Sequence, residues 1–336
     1  MTSESEILAQ RRGRVGIITL NRPKALNSLN MAMLKAMDAQ LRAWAKDPQV
    51  AAVAARGAGP NLCAGGDVRA VWQNRGDERF MDEVYRVEYV LDDYINRYPK
   101  PYLALMNGIT MGGGCGISVH AAYRVVTETT VLAMPEVLIG LFPDIGGAYF
   151  LPRRPGFIGM YMGLTAARLN AGDCMYTGIG SHCVRSQDLD TLVERLAAGE
   201  SPDTALAALA APPPAGTFES LRPEIDACFG HDSLEAIVAA LQRIDTPWAQ
   251  QARTNIAAAS PTSLAVTFRA IREGAKKSLR ECLISDFRIA LRLMRQHDYF
   301  EGVRALIVDK DRKPRWQPAT LAEVSPSAID ACFAKL

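Results

Sequence analysis

Paired cysteines are missing from this chain: seven are scattered through 336 residues, and none stands in a CxxC pair. Neither a disulfide framework nor a zinc finger is indicated, and a reducing, cytoplasmic setting is expected. Histidine is scarce. The four present, His120, His182, His231 and His297, show no metal-ligand spacing, so no metal site is expected. Excess charge is missing too: 38 Lys and Arg face 36 Asp and Glu, a net +2. That balance argues against a broad nucleic-acid surface, while a local patch for an anionic small ligand remains open. No apolar run is long enough to cross a bilayer. The opening "MTSESEILAQRRGR" carries Glu4 and Glu6 and has no apolar core, so no signal or transit peptide is expected.

What is present is an alternation of strand-like and helix-like segments. "RVGIITL" (14–20) and "VAAVAA" (50–55) read as buried strands. Between them, residues 31–46 place Met33, Leu34, Met37, Leu41 and Trp44 at helical spacing. A helix over 80–97 ends at "YPKP", and "YLALMNG" reads as the next strand. A short helix is expected from Gly113 to about Ala122, then two short strands, a loop-rich stretch, and a helix at "FIGMYMGLTAARL". The alternation implies an α/β core with parallel strands. The Ala/Pro-rich stretch 196–218 reads as a surface connection, and from 224 onward the pattern is helical. The expected organisation is a core over 1–200 and a mostly helical region over 201–336.

Glycine clusters where chemistry is expected. "ITMGGGCGISVH" (109–120) closes a strand and opens a helix. Bare backbone there permits close helix–strand packing, or lets a ligand oxygen approach amides that have no intrahelical partner. A dinucleotide fingerprint starting at Gly112 needs a glycine where Ile117 stands, and no Walker A loop is found. The near-match to a serine-hydrolase elbow has His120 in place of its second glycine and puts Ser118 inside the helix. A second cluster, "CAGGD" (63–67), also follows a strand. Two such loops can each give one amide to an oxyanion hole. Alone, Asp67 reads as a helix cap. In "MPEVLIGLFPDIGG" (134–147), Glu136 and Asp144 are isolated among apolar residues, as caps and turn residues are, or as acids held for acid–base work. Glu88, among several acids on its helix, reads as part of a solvated face.

In order, "ITLNRPKALNSLN", "CAGGD", "KPYLALMNGITMGGGCG" and "MPEVLIGLFPDIGG" resemble the enoyl-CoA hydratase/isomerase (crotonase) superfamily. Within it, "VEYVLDDY", "MPEVLIGLFPDIGGAYFLPR" and "EGVRALIVDKDRKPRWQP" (301–318) resemble the 3-hydroxyisobutyryl-CoA hydrolase family. The resemblance implies a crotonase-like spiral of ββα units followed by a helical C-terminal region. It implies an acyl-CoA substrate and thioester hydrolysis, with no cofactor beyond the CoA of the substrate. It assigns the thioester oxygen to the amides of Gly66 and Gly113, the catalytic carboxylate to Glu136, and the substrate's polar end to Glu88 and Asp144, with Asp144 also assisting catalysis. It assigns CoA to Lys24, Ala25, Leu26, Ala64, Gly65, Gly66 and Asp67. Homo-oligomers, trimers or pairs of trimers, occur among such relatives. Hydratases of the superfamily present a second glutamate just after the glycine run, where this chain has Gly116; hydration or isomerisation of a short acyl-CoA is therefore the alternative, followed by acyl-CoA binding without catalysis. Leu62 and Ala148 depart from the hydrolase pattern at positions with no polar role.

Overall fold

The run Val15–Leu20 is buried at five of its six positions, and a strand so apolar needs cover on both of its faces. The computed structural model, which describes residues 5–335, provides that cover. The elements run β1 (Ile7–Arg12), β2 (Val15–Leu20), α1 (Met31–Lys46), β3 (Ala52–Gly57), α2 (Val68–Gln73), α3 (Glu78–Asn96), β4 (Tyr102–Met106), β5 (Ile109–Met111), α4 (Gly113–Val119), β6 (Tyr123–Val126) and β7 (Val131–Ala133). Then come α5 (Gly147–Phe150), α6 (Ile158–Thr165), α7 (Ala171–Tyr176), β8 (His182–Cys183), α8 (Leu189–Ala197) and α9 (Pro202–Ala208). The rest is helical: α10 (Phe218–Phe229), α11 (Leu234–Gln242), α12 (Pro247–Ala258), α13 (Pro261–Gly274), α14 (Leu279–Leu293), α15 (His297–Val303) and α16 (Pro326–Phe333). None of the described helices is long and apolar enough to cross a membrane.

The residues divide into two compact units that interleave along the sequence. One holds the residues up to Asp67, Val87–Leu132 and Leu169–Thr217. Its six-stranded sheet has the order β1-β2-β3-β4-β6-β8. β1 is antiparallel to β2, and the remaining pairs are parallel. Alternate residues such as Val15, Ile17, Ala52, Ala54, Leu103 and Leu105 form one apolar layer with the buried sides of α8 and α9. α1 packs on β1 and β2; its expected apolar stripe is buried and Asn30 caps it by accepting from Met33 N. A second, shorter ladder runs alongside: Leu29 bridges Gly66, Cys63 bridges Thr110, β5 pairs with β7, and Leu132 bridges Leu169. Each turn of chain lays a strand in the large sheet, adds a short segment to this ladder and enters a helix. This is the spiral of ββα units that the resemblance implies.

One strand has no counterpart in the sequence reading, and one local expectation changes. β1 escapes the apolar pattern because only Ile7 in it is buried, so it pairs through backbone while its side chains face solvent. The stretch 196–218 is not a bare connection. It contains α9, started by Ser201 and Pro202, with Ala205 and Leu206 fully buried in the sheet's apolar layer.

The other unit comprises Val68–Arg86, Ala133–Arg168 and Phe218 to the C-terminal end. α6 is buried at every position, as a helix apolar all round must be, and α10, α12 and α13 pack on it. Tyr161 of α6 meets Phe218, Phe229 and Trp248 with ring centroids 5.5, 5.2 and 5.6 Å away.

Candidate functional site

In the first unit the chain lays its two glycine clusters side by side. Met111 N donates to Cys63 O and Cys63 N to Ile109 O, both 3.0 Å, which aligns "CAGGD" with the strand leading into the glycine run. A Cβ added to Gly113 would lie 3.2 Å from Gly66 N. Neither Gly66 N nor Gly113 N donates to a protein acceptor among the described residues. For Gly113 the reason is its position as the first residue of α4. For Gly66 it is the parallel bridge with Leu29, which uses Gly65 O and Asp67 N instead. The result is two open amides on adjoining backbones.

Helix α3 supplies two acids to the same glycine run. A Cβ on Gly113 would overlap Glu88 Oε1, and a Cβ on Gly116 would stand 2.8 Å from each carboxylate oxygen of Asp92. Glu88 is 6% exposed and Asp92 is fully buried. Glu88 is therefore not on a solvated face: the bare backbone at Gly113 leaves room for it to turn inward. Asp92 has no place in the sequence reading. Cys63, buried beside this group, has its thiol pushed up to about 12, chiefly by burial and further by the Glu88 charge; it is not a poised nucleophile. Ser118 is buried, and its Oγ donates to Gly114 O at 2.7 Å within its own helix, the usual satisfaction of a helical serine.

The loops expected to carry CoA are also brought together. Pro23–Ala25 form one turn of 3-10 helix, Leu26 follows at φ 50°, and Ala64 N donates to Leu26 O at 3.0 Å. Arg22 reaches Asp67 at 3.0 Å, so Asp67 holds an ion pair. Buried Asn27 was not singled out by sequence; it fastens these loops, accepting from Arg22 N and donating to Ala58 O and Asn61 O. Lys24 and Leu26 are exposed.

In the second unit Glu136 is the first residue of a 3-10 turn, Glu136–Ile139, and is 5% exposed. That turn is held by the C-terminal helices. Gly140 (φ 74°) has no room for a side chain against the Asp298 carbonyl, and a Cβ on Gly302 of α15 would fall 2.6 Å from Ile139 Cα. Ser260 N donates to Val137 O at 3.0 Å. Ser260 Oγ and Gln317 N both donate to Asp298, at 2.6 and 2.7 Å. The "EGVRALIVDKDRKPRWQP" segment is fastened in turn by Arg304, which reaches Glu301, Asp309 and Asp311. Asp144 is also 5% exposed. It opens a tight turn in which Gly147 N donates to Asp144 O at 2.7 Å, with Ile145 at φ 49° and Gly146 at φ 81°. Ile145 in the left-handed region costs on the order of 1–3 kcal/mol, which the packing around a nearly fully buried side chain offsets.

Asp286 of α14, another residue absent from the sequence reading, accepts from Gly146 N at 2.8 Å and has no exposed surface. Burial, with the Asp144 charge adding to it, pushes its carboxyl well above the usual carboxylate range, against the opposing pull of the Gly146 bond and Lys277. The native protein then keeps a proton that the unfolded chain loses near pH 3.8. Stability falls on this account as pH rises above that value. An Asp286→Asn variant lacks the effect, so it should gain on the parent protein as pH rises above about 4. Paired melting curves check this; a gap that does not change with pH would show no raised carboxyl. Among the described residues no group of three or more His, Cys, Asp or Glu is placed to hold a metal.

Residues 15–333 match the family model described as enoyl-CoA hydratase/isomerase. The chain belongs to the enoyl-CoA hydratase/isomerase family. Within that family it is similar to curated proteins named 3-hydroxyisobutyryl-CoA hydrolase, mitochondrial. The Danio rerio protein is 43% identical, with 99% of this chain and 90% of the relative covered. The Homo sapiens protein is 39% identical, with 98% and 89% covered. Among solved structures, a carnitinyl-CoA dehydratase from Mycobacterium thermoresistibile is 42% identical at a TM-score of 0.95, covering 99% of this chain and 97% of that one. An enoyl-CoA hydratase from Rhodobacter sphaeroides 2.4.1 is 40% identical at 0.92, covering 99% and 98%. The fold is therefore the family's over nearly the whole chain, C-terminal helices included.

Proposed function

We propose that this protein hydrolyses the thioester of short 3-hydroxyacyl-CoAs, foremost 3-hydroxyisobutyryl-CoA, an intermediate of valine breakdown, to the free acid and CoA. The names of the curated relatives support this reading, and the observation that carries it is the pair of open amides at Gly66 and Gly113. A thioester oxygen gains negative charge as its carbonyl is attacked, and two fixed N–H donors stabilise that charge without reorganising. Glu136 acts on the carbonyl carbon in one of two ways: as the base for an attacking water, or as a nucleophile forming a mixed anhydride that water then opens. In both, the C–S bond breaks and CoA leaves as the thiol. Glu88 and Asp144 hold the 3-hydroxyl, so a plain acyl group leaves buried acids without their partner.

CoA lies along Lys24–Leu26 and Ala64–Asp67, and enters as part of the substrate; this chemistry calls for no metal or redox group. Seven free, buried cysteines fit a reducing compartment, and we place the protein in the cytoplasm.

A hydratase reading has behind it the two similar structures, a carnitinyl-CoA dehydratase and an enoyl-CoA hydratase. The glycine run favours hydrolysis. Gly116 offers no second glutamate, and Asp92 fills the space that a side chain there would enter. A panel of short acyl-CoAs with and without a 3-hydroxyl, scored by free thiol, tests the proposal. Hydroxylated thioesters should be cleaved at least about 10-fold faster. Equal rates would remove the roles given to Glu88 and Asp144, and binding without release would leave a non-catalytic acyl-CoA carrier.

A further inference from the structure

Helix α14 carries an acid where its apolar stripe calls for a hydrophobic residue. Leu279, Cys282, Leu283, Ile289, Ala290 and Leu293 are buried along the helix, and Asp286 lies among them with no exposed surface. Burying a carboxyl is costly, and a structural helix has no need of one. One oxygen is accounted for: Oδ2 accepts from Gly146 N at 2.8 Å. The other, Oδ1, has no hydrogen-bond partner among the described residues. The turn that Asp286 reaches begins at Asp144 and holds two successive residues in the left-handed region, Ile145 and Gly146.

We propose that Asp286 is a positioning residue for Asp144: from α14 it fixes the 144–147 turn through Gly146 and so sets where the Asp144 carboxylate stands. The inference rests on the hydroxyl-binding role given to Asp144 above. The charges acting on Asp286 are Asp144 on the turn and Lys277 just before α14. Of the elements packed on α14, α5 brings Tyr149, and α16 brings Cys332 and Asp330, the latter paired with Arg269. Deep burial and the facing Asp144 push the group toward the neutral acid. Asparagine matches it in shape and offers Gly146 N the same acceptor, whereas alanine offers none.

The test compares kcat/KM on 3-hydroxyisobutyryl-CoA with that on isobutyryl-CoA, which lacks the hydroxyl. Asp286→Asn should keep the ratio of the two within about threefold of the parent protein. Asp286→Ala should lower the ratio by about 10-fold or more, through a raised KM for the hydroxylated substrate; if it does not fold, Asp286→Ser is read the same way. Equal losses on both thioesters, or an unchanged ratio, would reduce Asp286 to a structural residue and overturn the proposal. So would an asparagine variant as impaired as the alanine one. Asp144→Asn on the same substrates tests the underlying reading separately. If that variant leaves the ratio intact, the role of Asp144 is wrong, whatever Asp286 does.

Discussion

Replacing Glu136 by Gln should lower kcat by about 10²- to 10⁴-fold while changing KM by little. Gln keeps the shape of the side chain but can neither take a proton from water nor attack a carbonyl. The backbone that carries it is held independently, by the close contact of Gly140 with Asp298 and of Gly302 with Ile139. The variant should therefore fold and bind as the parent does. Steady-state kinetics on the hydroxylated thioester, with a melting curve alongside, read both parts. A fully active Glu136→Gln protein would remove Glu136 from the chemistry under either route.

The second large effect is expected at Gly113. An added methyl would overlap Glu88 Oε1 and stand 3.2 Å from Gly66 N and 3.4 Å from Leu29 Cδ1. Glu88 can swing only by giving up its place, and the backbone beside Gly66 can move only by spreading the two amides. Losing one aligned donor costs on the order of 3 kcal/mol in the barrier, so Gly113→Ala should lose about 10²-fold in kcat. Gly76→Ala is the matching control, since a Cβ there meets nothing within 4 Å. If Gly113→Ala turned over at the parent rate, the amide of Gly113 would not be an oxyanion donor.

Periodicity made the frame of the fold legible. Val15–Leu20, Met31–Lys46 and Tyr102–Met106 are apolar at strand or helix spacing, and they form the expected elements. β1 was illegible because an exposed edge strand carries no apolar pattern. α9 was masked by the Ala/Pro composition around it, although Ser201-Pro202 is a helix start. The glycine clusters and the isolated pair Glu136 and Asp144 stood out because bare backbone and lone acids are unusual where they occur.

Glu88, Asp92 and Asp286 did not stand out, because an acid on a helix usually faces water. A signal was present even so. Glu88 and Asp92 continue the stripe Met81, Val84, Tyr85, Ile95, all buried, and Asp286 continues the stripe of Leu279, Cys282, Leu283 and Leu293. An acid on the buried stripe of a helix marks a candidate site residue. Sequence alone could not show what makes room for such acids. For Glu88 and Asp92 it is the lack of a side chain at Gly113 and Gly116 of α4, which lies beyond β4 and β5 in the sequence.

One measurement bears most directly on the proposed activity: free CoA release from 3-hydroxyisobutyryl-CoA, beside water addition to crotonyl-CoA, with the same preparation. Release from the first with no hydration of the second is expected of two open amides, Glu136, and a glycine at 116. Hydration of crotonyl-CoA without release of CoA would contradict it and make the protein a hydratase.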